Sequence, residues 1–283
     1  MNGPRFTDFL PCPGRGAGFK LGQDGVQVTQ GVLQQLAWPG AEPLVSCLMV
    51  TRGRLFPARF AVDCFRAQGW AARELVLVCD APGTEIEAYC RQLGDERIRL
   101  VFPATPAASL GELRNLSLES ARGDWVCQWD DDDLYHPDRI ALGMQALLAL
   151  GADAMFLQRW LLWAPGARRL GVSGAREWEG SMLARRASVP PYPALARGED
   201  TAVMHAMLRR GRVLLLDAPW AYTYVQTGVN TWAAEHFAAI WAAASFEQAQ
   251  TGYEAALAAL GTHGPHAAYA AALATAPRAD RPN

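Results

Sequence analysis

The chain is almost without lysine. Lys20 is the only one, and the other 25 of its 26 basic residues are arginine. Cationic help in any site must therefore come from guanidinium groups, which stay charged and present a planar fork of donors. An excess of either sign is also missing, since 26 basic residues against 28 acidic ones leave a formal net charge of −2. That argues against a basic nucleic-acid coat and a polybasic membrane tail, so nucleic acid is a disfavoured partner. The six cysteines contain no C-x-x-C pair. Cys47, Cys79 and Cys127 fall inside apolar runs and read as small buried hydrophobes in a reducing cytosol. No apolar stretch of about 18 residues runs without a charge or a breaker, so no transmembrane span is expected. Met1 to Phe19 carries Pro and Gly where a leader would have its apolar core, so a cytoplasmic location is expected.

What is present is globular: 51% of the residues are hydrophobic and only 19% charged, which excludes a disordered chain. Residues 1–42 are rich in Gly and Pro and read as an extension, with a short helix around Val32–Leu36. From Pro43 a repeated alternation begins. Leu44–Val50, Leu75–Cys79, Ile98–Phe102 and Trp125–Trp129 are apolar runs of strand length. Between them lie helical spacings: Phe56, Phe60, Cys64 and Phe65, stopped by Gly69; Ile86, Tyr89, Cys90 and Leu93, stopped by Gly94; Leu113, Leu116 and Ser120, ending at Gly123. Strands alternating with helices mean βαβ units and a parallel sheet, which binds ligands beyond the carboxyl ends of its strands.

The second half is less regular. A helix runs from Pro137 to Gly151, followed by strands at Ala154–Trp163 and Leu170–Ser173, a hairpin around Pro165-Gly166. A short strand covers Gly180–Ala184, a helix Asp200–Arg210 and a strand Val213–Leu216. Residues 233–262 are Ala-rich and helical, and the last twenty or so look frayed. His263-Gly-Pro-His266 has a suggestive spacing but no partner ligands.

Asp130-Asp131-Asp132-Asp133 directly follows the fourth strand. Four adjacent carboxylates at the mouth of a buried strand repel one another. The usual compensation is a hard divalent cation, Mn²⁺ or Mg²⁺, held by one or two carboxylates together with substrate phosphates. The plain alternative is a solvated acidic loop that caps a helix. An EF-hand is excluded, because the loop lacks the Gly and the spaced ligands.

From Pro43 to about Phe237 the sequence resembles a family 2 glycosyltransferase of the GT-A fold. The resemblance is carried by Asp130-Asp131-Asp132-Asp133-Leu-Tyr-His-Pro137-Asp-Arg139-Ile, a strand ending in an acidic motif and then a Pro and a basic residue. It implies an α/β architecture with a Rossmann-like, mostly parallel sheet flanked by helices. The expected divisions are a nucleotide-sugar-binding half at 43–143, a smaller acceptor-binding half at 144–232 and a helical C-terminal region at 233–283. Thr51 stands where the family contacts the nucleotide base, but the family's Pro-Thr-Tyr-Asn is here Val50-Thr51-Arg52-Gly53. Asp80 takes the position of the acidic residue on the uracil, and Arg114, in Leu113-Arg114-Asn115, that of the arginine approaching the nucleotide. Arg52 joins this donor-binding set. The resemblance makes Asp132 the metal ligand and places Asp131 near the sugar or ribose, with Asp130 and Asp133 structural.

The family's general base is an acidic residue in a Glu-Asp pair that opens a helix. Gly198-Glu199-Asp200-Thr201 fits, with Asp200 the expected base and Glu199 its rival; the alternative is that the Asp only caps the helix. Trp178, Gly180 and Ser181 resemble the family's floor under sugar and acceptor. Asn230 or His236 could close over the diphosphate, and His236 is a second candidate metal ligand. Gln158-Arg159-Trp160 lies before Asp200 and lacks the Gln-x-x-Arg-Trp spacing of processive synthases. The expectation is therefore a non-processive, inverting, metal-dependent enzyme that moves a single sugar from a nucleotide-sugar donor, most simply a UDP-sugar. Its acceptor class is open. The rival readings are a nucleotidyltransferase that makes nucleotide sugars and a non-catalytic nucleotide-sugar-binding protein.

Overall fold

The computed structural model describes residues 4–11, 40–107, 109–227, 230, 232–261 and 263–275, and the backbone of 18–21. The expected helix at Val32–Leu36 lies outside them. Residues Phe6–Phe9 form one turn of 3-10 helix that buries Phe6. Strand β1 (Gly18–Leu21) follows, then β2 (Val45–Thr51), α1 (Leu55–Arg66), β3 (Arg73–Cys79), α2 (Glu85–Leu93), β4 (Ile98–Val101), α3 (Leu110–Ser120) and β5 (Trp125–Gln128). These helices begin and end where local chemistry tells them to. The Thr84 hydroxyl accepts from the Glu87 N–H, and Ser109 and Glu112 form a reciprocal capping box. Gly94 closes α2 in the left-handed region, at φ 60°. Helix α3 stops at Ala121, two residues before the expected Gly123. The N–H of Gly123 instead binds Ser46 Oγ at 2.9 Å.

The second half continues with β6 (Leu134–Tyr135), α4 (Arg139–Leu150), β7 (Ala154–Leu157), β8 (Leu161–Ala164), β9 (Arg169–Val172), β10 (Trp178–Arg185) and α5 (Glu199–Arg210). It ends with β11 (Val213–Asp217), β12 (Tyr222–Val225), α6 (Ala234–Ala242), β13 (Phe246–Ala249), α7 (Tyr253–Leu260) and α8 (His266–Thr275). Eight strands form one mixed sheet in the order β1-β11-β7-β10-β5-β2-β3-β4, and five form a second, β13-β9-β8-β12-β6. Strands β2, β3, β4 and β5 are parallel, while β10 enters antiparallel between β5 and β7. The parallel strands are apolar on both sides because both sides are covered. Val45, Cys47 and Met49 belong to one core cluster and Leu48 to the other, as do Leu75, Leu77 and Cys79 against Val76 and Val78.

Three expectations need correction. The run Ala154–Trp163 is two strands in two sheets. It breaks at Gln158–Trp160, where the N–H of Gln158 binds the Leu216 carbonyl and that of Trp160 binds Ser173 Oγ. The Ala-rich segment is not all helix, because Phe246–Ala249 pairs antiparallel with β9. Residues 266–275 are not frayed. They form α8, whose His266 and Tyr269 are buried. No helix among the described residues is long and apolar enough to cross a membrane.

Candidate active site

Strand β5 delivers Gln128 and then Asp130–Asp133 to the carboxyl edge of the large sheet. The hydroxyl of Thr51, at the end of neighbouring β2, donates to Asp131 Oδ2 at 2.6 Å. The Asn230 side-chain N–H donates to Asp132 Oδ2 at 2.8 Å. Both carboxylates are half-buried. Burial and the adjoining carboxylates push Asp132 up to about 7, and burial likewise raises Asp131. Asp133 is fully enclosed, accepting from the Tyr222 hydroxyl and, at 2.8 Å, from the N–H of Val225. Burial holds its carboxyl well above the ordinary range. Asp130 faces the other way. Its Oδ1 accepts from Arg114 Nη2 at 3.0 Å, and a Cβ at Gly180 would come within 3.1 Å of its Oδ2. Gly180 is what lets β10 pass so close.

Arg114 spans the site. Its Nε donates to Glu199 Oε1 at 2.6 Å while Nη2 holds Asp130, and the residue is 8% exposed. The arginine expected at the nucleotide is thus committed inside the protein, bracing the acidic strand against the start of α5. Gly198, at φ 73°, is the N-cap of that helix and makes no side-chain cap. Glu199 and Asp200 therefore occupy the first helical positions; Asp200 is not the N-cap, but its Oδ1 accepts from the Thr201 N–H at 2.9 Å, which leaves Oδ2 toward Gln128. Glu199 is 1% exposed and ion-paired. Asp200 is half-buried, lies 3.4 Å from Gln128 Nε2, and is pushed up to about 6 by burial. Gln128 Nε2 also reaches both oxygens of Asp130 at 3.5 Å, so one amide links the acidic run to the candidate base.

The remaining expected residues divide. Asp80 sits beside Thr51, its N–H bound to the Thr51 carbonyl. Arg52 is exposed at the same strand end, and so is Arg54, whose charge reaches Asp131 and Asp132 and lowers both. Trp178 and Ser181 are not available as a floor. Trp178 is 3% exposed, stacked on Trp160 at 4.1 Å and covered by Arg176 at 3.8 Å. Ser181 donates to the Trp178 carbonyl and accepts from the Leu157 N–H. His236 stacks on the exposed Trp232 at 4.4 Å, and the charges that reach it are those of Arg176 and Glu179, not the aspartate run. Asn230, not His236, touches Asp132.

Several residues escaped the sequence reading. Gln128 drew no notice within its strand, Tyr135 none within the acidic motif, and Tyr222 lay outside every motif. Yet Tyr222 holds Asp133, and the Tyr135 hydroxyl donates to the Asp130 carbonyl at 2.9 Å. Arg139 lies buried beneath them, its guanidinium 4.5 Å from the Tyr135 ring and 4.9 Å from that of Tyr222. No local pattern announces such contacts between distant segments.

The donor set offered to a cation is all oxygen, which suits a hard divalent ion. Among the described residues no group of three or more His, Cys, Asp and Glu side chains is arranged to hold a metal. The carboxylates therefore fit a cation that arrives with further ligands of its own, such as phosphate oxygens, and do not form a complete protein cage.

Residues 46–161, most of the alternating half, match the family model described as Glycosyl transferase family 2. This segment belongs to that family. The family 2 assignment covers the acidic motif, Thr51, Asp80 and Arg114. The chain is also similar in fold to Staphylococcus aureus TarS. For TarS 1–349 the TM-score is 0.55 at 15% identity, over 65% of this chain and 61% of that one. For TarS 1–349 in complex with UDP-GlcNAc it is 0.56 at 13% identity, over 80% and 69%. Against the longer TarS structure the match spans 37% of that chain. Likeness at this identity establishes a GT-A-like fold around the family 2 segment. No curated protein matches the sequence.

Proposed function

We propose that the protein is an inverting glycosyltransferase that moves a single sugar from a nucleotide-diphosphate donor, a UDP-sugar, to an acceptor hydroxyl, with Mn²⁺ or Mg²⁺ as cofactor, in the cytoplasm. The observation that carries this reading is the brace between the two carboxylate groups. Arg114 binds Asp130 and Glu199 at once, and Gln128 reaches both Asp130 and Asp200. A donor-side acidic edge and a basic carboxylate are thereby held on one rigid frame, as a bimolecular displacement requires. The TarS structures in complex with UDP-GlcNAc and with UDP support the choice of donor.

Asp132, half-buried and crowded by like charges, is the cation ligand. The cation would neutralise charge on the diphosphate as it leaves. Thr51 and Asp80 mark the base end of the donor site, with Asp131 next to the ribose or sugar. Asp200 takes the proton from the acceptor hydroxyl. A carboxylate near pKa 6 is still ionised at neutral pH and is a stronger base than an ordinary aspartate. Glu199 is the weaker candidate, because removing it from Arg114 would strand a buried cation. A single displacement assisted by one base inverts the anomeric centre.

The test is UDP-sugar turnover, to water and to added acceptors, with and without Mn²⁺. Asp200→Asn should bind UDP normally and fail in transfer. Metal-independent turnover, or full activity in Asp200→Asn, overturns the reading.

A further inference from the structure

Helix α8 carries, among the described residues, a buried side-chain hydroxyl that makes no hydrogen bond. Tyr269 is 1% exposed, its ring enclosed by Phe56 and Phe60, each at 4.9 Å, and Trp163 at 5.3 Å. Its hydroxyl oxygen has no hydrogen-bond partner. A buried polar group left unmade costs the full penalty of its desolvation, so such an orphan calls for an explanation. The charges of Asp132, Asp133, Arg54 and Asp131 all reach this phenol, and burial together with the carboxylates raises its pKa. It therefore keeps its proton and remains a hydrogen-bond donor without an acceptor.

The position of α8 is indexed to the same strands. His136 Nδ1 accepts from the Asp138 N–H at 3.0 Å, which leaves the proton on Nε2, and Nε2 meets His263 Nδ1 at 3.0 Å. His266 Nε2 lies 2.9 Å from Thr223 Oγ1, and Thr223 pairs with Leu134, next to Asp133. Tyr269 is thus held by the segments that hold the acidic run. Other buried nitrogens also lack partners, but Arg139 at least lies against aromatic faces. Tyr269 packs on Phe56, two residues from Arg54, just past the end of the strand whose Thr51 binds Asp131.

We propose that the Tyr269 hydroxyl donates a hydrogen bond to the diphosphate of the nucleotide donor, making α8 part of the donor site. This rests on the nucleotide-diphosphate reading above.

The experiment compares wild type and Tyr269→Phe by calorimetric titration of UDP with Mn²⁺, with uridine followed by ligand-observed NMR and a thermal midpoint for each protein. UDP affinity should fall about tenfold or more, the scale of one hydrogen bond to a charged acceptor. Uridine binding should be unchanged, and the midpoint equal or higher, since an unpaired hydroxyl has been removed. UDP affinity equal to wild type overturns the proposal, and so does a parallel loss for UDP and uridine with a lowered midpoint, which marks a packing role. Wild type that binds no UDP overturns this proposal and the donor reading together.

Discussion

The two groups of carboxylates in the site are compensated in opposite ways. Glu199, on the acceptor side, is buried against a guanidinium supplied by the chain itself. Asp131 and Asp132, on the proposed donor side, are held by a hydroxyl and an amide; the exposed Arg54 is the arginine whose charge reaches both, and Arg114 reaches Asp131 without pairing with it. The first group is electrostatically complete. The second still carries charge that burial disfavours, shown by Asp132 at about 7. A protein that settles one ion pair internally and leaves its neighbours unsettled marks where outside charge belongs, which on the proposed reading is a cation and a diphosphate.

That contrast can be broken in several ways. The largest effect should come from Asp132→Ala, which removes the unsettled charge: Mn²⁺-dependent turnover of a UDP-sugar should disappear, and turnover near the wild-type rate would sink the assignment. Next is Asp200→Asn. Transfer should drop by about 10²–10⁴, the usual contribution of a positioned base, with UDP affinity unchanged by calorimetry. On the settled side, Arg114→Met should destabilise by about 3–5 kcal/mol in denaturant titration, because Glu199 is left buried without a partner. Arg114→Lys should recover little, lacking the fork that reaches two carboxylates at once. Smaller still is the response to acid. Below about pH 6 the rate should fall roughly tenfold per unit as Asp200 takes up its proton.

Acid should also act on stability, separately from the rate. Burial lowers His136 and His266 to about 4. Each binds fewer protons folded than unfolded, so stability is full above the unfolded pKa of about 6.5 and is lost as pH falls toward 4. Asp132 and Asp200, raised to about 7 and about 6, act in the opposite sense over the same window. The histidine loss is therefore read as the midpoint of wild type relative to His136→Gln, which should fall as pH falls; a difference independent of pH would contradict it.

The donor half was largely legible because its signals are local. Apolar runs of strand length, helical spacings and terminal glycines place β2 to β5 and their helices, and a run of four aspartates stands out in any order. The chain from residue 144 onward depends on contacts between distant segments. Phe246–Ala249 is hidden in an Ala-rich stretch and becomes a strand only because β9 offers an edge. Trp178 has the composition of a sugar platform, but Trp160 and Arg176 take both of its faces. Arg114 shows the limit from the donor side: its place in the motif was readable, but its two partners lie 16 and 85 residues away.

Strand β1 has a practical consequence of its own. It pairs along β11 and ends the large sheet with four residues, with Lys20 opposite Leu215. A short terminal strand covers hydrogen-bonding groups that would otherwise recruit a second molecule, so cutting the chain before residue 40 should reveal itself in light scattering before it does in any rate. Lys20 is the only lysine, so an amine-reactive dye has that side chain and the N-terminal amine alone to label.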